Sequence, residues 1–386
     1  MQESSRRAIS RPHRVAFASE GRDTTTTATM SAVRVALAQL ASEPPSVAGN
    51  TDRNLERALR FIEQAASPHL KPSPLQEEAT AAGYGSGPTQ QAKRKADIVI
   101  FPEYFISGVI AEREHWKLAQ ETCDTGEGDQ EDLKDGAEPV PSSWLGVLRH
   151  KARECQIDVV AGTIVERATP DLVVGRECEE EEQGADEAKF KLFNRSYYIS
   201  SDGSIAGAYT KRNLWHPEKE YLTPAPLSEI NEVIETRHGP VGLLVCWDLA
   251  WPEAFRALSL RQHERHQPPK LIIMPSCWFA SDATPVGLAR NKDAEAVFLD
   301  HVTVARAYEN ECALIFVNGA GSKEDGHLGR SSVSLPFYGC IARAKGSEEE
   351  LMVVDIDMGV LEDAKRVYKI GSDLHAKAER ASEASR

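Results

Sequence analysis

Three short apolar runs in this chain each end in a side chain able to do polar chemistry. The run IVIFPEYFISG (98–108) presents Glu103, YTKRNLWHPEKEYLTP (209–224) presents Lys211, and VGLLVCWDLAWPE (241–253) presents Cys246. The three types complement one another. A free thiol titrates near ~8.5 and is mostly protonated at neutral pH, so it needs a base. A desolvated carboxyl titrates higher than usual and can take that proton and hand it on. An ammonium favours the thiolate and stabilises an oxyanion at the carbon it attacks. Taken singly, each residue is ordinary: a surface acid after proline, a solvated lysine, a small core cysteine. The order Glu, Lys, Cys, each at the end of an apolar run, is the informative observation, because strand ends at a sheet rim are where α/β enzymes collect their sites.

The elements that must position these residues can be read along the chain. VRVALAQL (33–40) is β-branched and apolar and reads as a buried strand, after which Asn50 or Thr51 caps a helix with Leu55, Leu59 and Ile62 on one face. Pro68, Pro72 and Pro74 end that helix, and 67–95 reads as an exposed insertion. ADIVIFPE (96–103) is a strand stopped by Pro102, Trp144, Leu145 and Leu148 lie on a helix, and IDVVAGTIV (157–165) reads as one further strand. LFNRSYYIS and SIAGAYT are joined by Ser201-Asp202-Gly203, and the Asp-Gly pair signals a hairpin. VGLLV, LIIMP, ALIFV, SSVSL and LMVVDI are further short strands, with helices over 252–262 and 293–310. The acidic stretches 120–140 and 177–187 read as solvated loops, since such runs repel themselves. Strands alternating with helices, mixed with hairpins, predict an α/β protein with helices covering sheets.

Composition narrows the partners. The formal charge of −14 repels phosphate backbones and anionic membranes, so nucleic acid and membrane are excluded as expected partners. No apolar run is long enough to span a bilayer. Seven scattered cysteines without a Cys-x-x-Cys pair fit free thiols in a reducing compartment, which points to the cytoplasm, and argue against a cysteine zinc site. The first 29 residues carry five arginines and three acids and lack a secretory core; a mitochondrial presequence and plain disorder ahead of Met30 are competing readings. The resulting division is a tail over 1–30, a catalytic domain over 31–372 and a flexible C-terminal tail over 373–386. His216, His238, His301 and His327 are scattered, and no sequence feature places one beside Cys246 or in a metal site.

From Val33 to about Ile370 the sequence resembles the carbon–nitrogen hydrolases of the nitrilase superfamily. The likeness is carried by Ala38-Gln39, the FPE, KRNLWHPEKEYLTP and CWD segments, PSCWF (275–279), ARAYENECALIFVNGAG (305–321) and GRSSVSLP (329–336). The resemblance implies a four-layer α-β-β-α sandwich, with Cys246 as nucleophile, Glu103 as proton carrier, Lys211 as oxyanion stabiliser and Glu218 as a supporting second glutamate. It also implies a pocket wall at Trp278, no metal or organic cofactor, and a homodimer. Tyr104 and Trp247 adjoin the catalytic candidates and are expected to touch substrate, whereas core packing is the simpler reading for Phe105, Trp251 and Phe279. The backbone N–H of Trp247 is a second candidate oxyanion donor. Trp251-Pro252-Glu253 and His216-Pro217-Glu218-Lys219 look like the carbamoylase branch, yet Leu249 and Ala250 stand where that branch places carboxylate-gripping arginines. Asp248, where true nitrilases show glutamate, tilts the expectation to an amide. The expected activity is amide hydrolysis through a thioester. The alternatives are a nitrilase or N-carbamoyl amidohydrolase using the same residues and, in another class, a silent binding scaffold.

Overall fold

The computed structural model describes residues 32–70, 94–121, 143–168, 190–260 and 267–384. The N-terminal tail, the acidic stretches 122–140 and 177–187 and most of the 67–95 insertion lie outside the described residues, whereas Gln120 and Glu121, read as the start of an acidic loop, form a strand.

Two mixed sheets carry the molecule. The first has the order β14-β1-β2-β4-β6-β5-β3, with β7 paired to β6. Its strands are β1 (Ala32–Gln39), β2 (Ile98–Ile100), β3 (Gln120–Glu121), β4 (Asp158–Val160), β5 (Ile164–Ala168), β6 (Lys191–Ile199), β7 (Ile205–Thr210) and β14 (Glu350–Asp357). The second has the order β13-β12-β11-β10-β9-β8. It is built from β8 (Ile234–Thr236), β9 (Gly239–Leu243), β10 (Leu271–Ser276), β11 (Ala313–Asn318), β12 (Ser332–Leu335) and β13 (Gly339–Arg343). Strands β1, β2 and β4 are mutually parallel in one sheet, as are β9, β10 and β11 in the other.

The alternation of side chains along a strand decides the layers. On β1, Val33, Val35 and Leu37 enter the core shared with the second sheet, where they meet Val241, Leu243 and Ile273. Ala36 and Ala38 point the other way, into a second core with Phe61 and Ile62 of α1 (Asn50–Ala65) and Leu148 of α2 (Trp144–Cys155). The outer face of the second sheet is covered by α3 (Pro252–Leu260) and α5 (Ala294–Glu309) through Phe255, Leu258 and Leu299. The result is the four-layer α-β-β-α sandwich. The short α4 (Thr284–Arg290) precedes α5, and α6 (Met358–Tyr368) and α7 (Ile370–Ala384) follow β14. Among the described residues no helix is long and apolar enough to cross a membrane.

Two local readings are corrected here. The Asp202-Gly203 hairpin forms as expected between β6 and β7, with Gly203 at φ 84°. However, 157–165 is not one strand. It breaks into β4 and β5 at Gly162, whose φ is 42° and where a Cβ would stand 2.0 Å from the Pro102 carbonyl oxygen. Only glycine tolerates both the left-handed backbone and that approach. Nor does Asn50 or Thr51 cap α1: the cap is Gly49, and the Asn50 amide instead donates to the carbonyls of Glu43 and Ser107. Asn54, one turn on, donates to the carbonyls of Glu43 and Ile106. Helix polarity is thus spent on holding the loop after Glu103. Residues 373–384 are helical, within α7.

Candidate active site

Cys246 is placed by a turn at the carboxyl end of β9. The strand ends at Leu243, and Cys246 opens a short 3-10 helix over Cys246–Ala250 with φ 46°. A non-glycine residue in that region stores about 1–3 kcal/mol of strain, so its surroundings must hold it. Asp248 supplies the hold. It is fully buried; one oxygen accepts the Val245 N–H (2.9 Å) and the Tyr209 hydroxyl (2.9 Å), and the other accepts the Asn213 side-chain N–H (2.7 Å). The Cys-Trp-Asp turn is thereby tied to both sides of Lys211.

Glu103 follows β2 across the sandwich. Its backbone N–H donates to the Ser276 carbonyl at the end of β10 (3.3 Å), which joins the rims of the two sheets. The next residue, Tyr104, also has a left-handed φ of 58°, and its N–H donates to the Thr163 hydroxyl (3.0 Å). Lys211 leaves the end of β7, with its N–H bonded to the Asn194 carbonyl (2.8 Å). Glu218 stands on the 3-10 turn Pro217–Glu220, seven residues on.

These four side chains meet. Lys211 Nζ donates to Glu103 Oε1 and to Glu218 Oε1, each at 2.8 Å. The Asn194 amide donates to the same Glu103 oxygen (2.8 Å), and the Cys246 thiol lies beside Glu103 in the same cavity lining. Glu218 accepts the Tyr104 hydroxyl (2.5 Å) on Oε1 and the Trp215 N–H (2.7 Å) on Oε2. Cys277, just past β10, lines the same cavity as Cys246.

Burial sets the protonation pattern. It pushes Glu103 up to about 7, with the Lys211 ammonium pulling against it and Glu218 adding to the rise. Burial alone would lower Lys211, but the two carboxylates hold it well above the ordinary lysine value. Cys246 is pushed well above the usual thiol value, first by burial and then by Glu103, with Lys211 opposing. The resting thiol is neutral, and the acid beside it titrates near neutrality. That is the pairing a proton transfer needs.

The cluster opens into a cavity of about 190 Å3. Every residue singled out from the sequence for a site role except Lys211 lines it: Glu103, Tyr104, Glu218, Cys246, Trp247 and Trp278. Lys211 lies behind them, 1% exposed. Trp247 packs between Trp215 and Trp278, with ring centroids 4.3 and 5.4 Å away. Phe105 is core, stacked on Phe101, and Trp251 is 46% exposed. Phe279, read from the sequence as packing, lines the cavity. Trp215, Tyr221, Cys277, Asp282 and the cluster's Asn194 went unread. A usable signal existed for Asn194: an amide within LFNRSYYIS, on a strand with apolar neighbours, directly across the hairpin from Lys211. Among the described residues no histidine is hydrogen-bonded to Cys246; His238 lies instead beside Asp158 (3.2 Å).

Comparison with known proteins agrees with this architecture. The carbon–nitrogen hydrolase family profile matches residues 34–366. An (R)-stereoselective amidase from a Pseudomonas species is 25% identical over 87% of this chain and 89% of its own. A Saccharomyces cerevisiae member of branch 10 of the nitrilase superfamily superimposes with a TM-score of 0.58 at 22% identity, covering 87% of this chain and 93% of that one. A mutant amidase from a Nesterenkonia species, showing covalent addition of the acetamide moiety of fluoroacetamide at its active-site cysteine, gives a TM-score of 0.54 at 20% identity, covering 87% of this chain and 94% of that one. The chain belongs to the carbon–nitrogen hydrolase family and is an enzyme of that class.

Proposed function

We propose that the chain is an amidase working through a cysteine thioester, with Glu103, Lys211 and Cys246 as its catalytic residues and Glu218 as a positioning residue. The observation that carries the reading is the buried Glu103–Lys211–Glu218 cluster beside Cys246 at the floor of an aromatic-walled cavity. Glu103 takes the thiol proton as sulfur attacks the carbonyl carbon. The oxyanion that forms faces the Lys211 ammonium, with the Trp247 backbone N–H as second donor. Glu103 returns its proton to the leaving nitrogen, the C–N bond breaks, and ammonia or an amine departs. A water then gives a proton to Glu103 and attacks the thioester, and the acid and free thiol are released. Glu218 keeps Lys211 in place and accepts the Tyr104 hydroxyl, so Lys211 does not collapse onto Glu103 alone. Tyr104, Trp247 and Trp278 form substrate-contacting wall.

The relatives named as amidases support the same reading. Ammonia release from a panel of small amides and nitriles, with Cys246→Ser as control, tests it. Release from amides together with a trapped acyl-enzyme on Cys246 is expected. Release from nitriles alone replaces amidase by nitrilase, and release unaffected by Cys246→Ser ends the mechanism. On the resemblance and on cysteine usage we further place the protein as a homodimer in the cytoplasm, with the catalytic domain over 31–372. Sedimentation and cell fractionation test those assignments.

A further inference from the structure

Asp282 is a charged cavity wall residue that the proposed mechanism leaves without a task. It lies on the 3-10 turn Ala280–Ala283 that follows β10, and it lines the cavity together with Cys246 and Trp278. One of its oxygens accepts the Phe279 N–H (2.9 Å), which caps the turn. The other takes no hydrogen bond among the described residues. The other two wall carboxylates, Glu103 and Glu218, are already engaged by Lys211, Asn194, Tyr104 and Trp215.

No arginine or lysine lines the cavity among the described residues, and Lys211 is sealed behind the two glutamates. The nearby acid Glu295, which accepts the Trp278 indole N–H (2.7 Å), adds negative charge behind the same wall. Burial raises Asp282 to about 6, the Phe279 N–H opposes the rise and Glu295 adds to it. The group is therefore largely ionised at neutral pH, and the cation that acts on it, Lys211, is already committed to Glu103 and Glu218. The surrounding faces are aromatic, with Trp215, Trp247, Trp278 and Tyr221 among them, and aromatic faces attract cations. A carboxylate next to aromatic faces, with no basic residue in the lining, suits a ligand that brings its own positive charge.

We propose that Asp282 makes this cavity selective for substrates carrying a primary ammonium, or a comparable cationic group, in addition to the scissile amide. The proposal rests on the amidase reading for the position of the amide, and it deepens that reading by naming the substrate class. A substrate with a carboxylate tail meets Asp282, Glu103 and Glu218 with no arginine to offset them, and is rejected.

Two measurements on the full chain test it. In the first, quenching of the cavity tryptophans is titrated with butylammonium, butyramide and butyrate. In the second, kcat/KM is compared for pentanamide, its ω-ammonium counterpart and its ω-carboxylate counterpart. Asp282→Asn is the variant, because an asparagine oxygen still accepts the Phe279 N–H and preserves the turn. Butylammonium should bind more tightly than the neutral and anionic ligands, and the ammonium amide should exceed pentanamide by about tenfold or more. In Asp282→Asn both preferences should shrink to about threefold or less, as charge attraction is lost while shape is kept. Hydrolysis of all three amides without a charge preference, or a preference that survives Asp282→Asn, overturns the cation site and leaves the amidase reading standing. Asp282-dependent binding of butylammonium with no amide hydrolysed supports the cation site and sinks the amidase reading instead. Absence of both overturns both.

Discussion

Two buried carboxylates sit at opposite ends of the same parallel strand pair and behave in opposite ways. Asp158 opens β4 and is 1% exposed; Glu103 follows β2 at the other end and is 3% exposed. Asp158 accepts the Tyr198 hydroxyl (2.8 Å) and the Ser201 N–H (2.9 Å), and pairs with Arg237 (2.9 Å) and His238 (3.2 Å). Burial alone would raise it, but those donors together hold it below the usual aspartate value. Glu103 has one cation, which it shares with Glu218, and burial wins. Both acids are closed to solvent, and Glu103 lies deeper within the protein. The supply of donors widens the difference, because an acid with several committed donors stays ionised, while one whose only cation is contested keeps a proton within reach.

That contrast can be broken most sharply at the site. Cys246→Ala should abolish acyl-enzyme formation, read by mass spectrometry after mixing with substrate. Glu103→Gln keeps the shape but cannot take a proton, so acylation should fall by about a hundredfold or more. In the wild type, kcat/KM should rise with pH through about 7 as Glu103 ionises. A flat profile there would sink the assignment of Glu103 as base.

Lys211→Ala should lower acylation by about 10²–10³, the usual effect of losing one oxyanion donor, with a much smaller change in substrate binding. It also leaves two carboxylates facing each other without their cation, a loss of about 3–5 kcal/mol when both stay charged. The variant should accordingly gain stability on acidification, measured by denaturant melts across pH. Lys211→Arg should not rescue turnover, since a planar guanidinium does not fit a compact ammonium site.

Gly162→Ala tests the turn that presents Glu103. The new Cβ would stand 2.0 Å from the Pro102 carbonyl oxygen and force that turn to move. Stability should drop by about 1–3 kcal/mol, and kcat should fall more than KM rises.

The smallest effect on activity belongs to Asp158→Asn. Turnover should stay within about threefold, while stability near neutral pH falls by about 1–3 kcal/mol through weakened charge-assisted hydrogen bonds. The sign of the pH dependence separates the two acids. Asp158 titrates lower folded than unfolded, so its contribution is present above about 4 and is lost as pH falls through the folded value. Glu103 titrates higher folded than unfolded, so its effect is most favourable below about 4.3 and is lost as pH rises towards the folded value of about 7. Equal pH slopes for Asp158→Asn and Glu103→Gln would dissolve the comparison.

The sequence alone determined most of the long strands, the Asp202-Gly203 hairpin, the α/β class and the residues at the strand ends, because side-chain alternation and turn chemistry are local and are written in consecutive residues, whereas the short β3, β8 and β13 carry too few residues to show that pattern. Family likeness added the four-layer arrangement and Glu218. What lay beyond reach depended on atoms distant in the chain. The break at Gly162 follows from the Pro102 carbonyl, 60 residues earlier, and the use of Asn50 follows from the carbonyl of Ser107, 57 residues later. Cys277 and Asp282 join the site only because the end of β10 lies beside Cys246. The sequence set which groups could react. Only the tertiary structure decided which of them share a proton, because that depends on how many donors reach each acid once water is gone, and those donors come from every part of the chain.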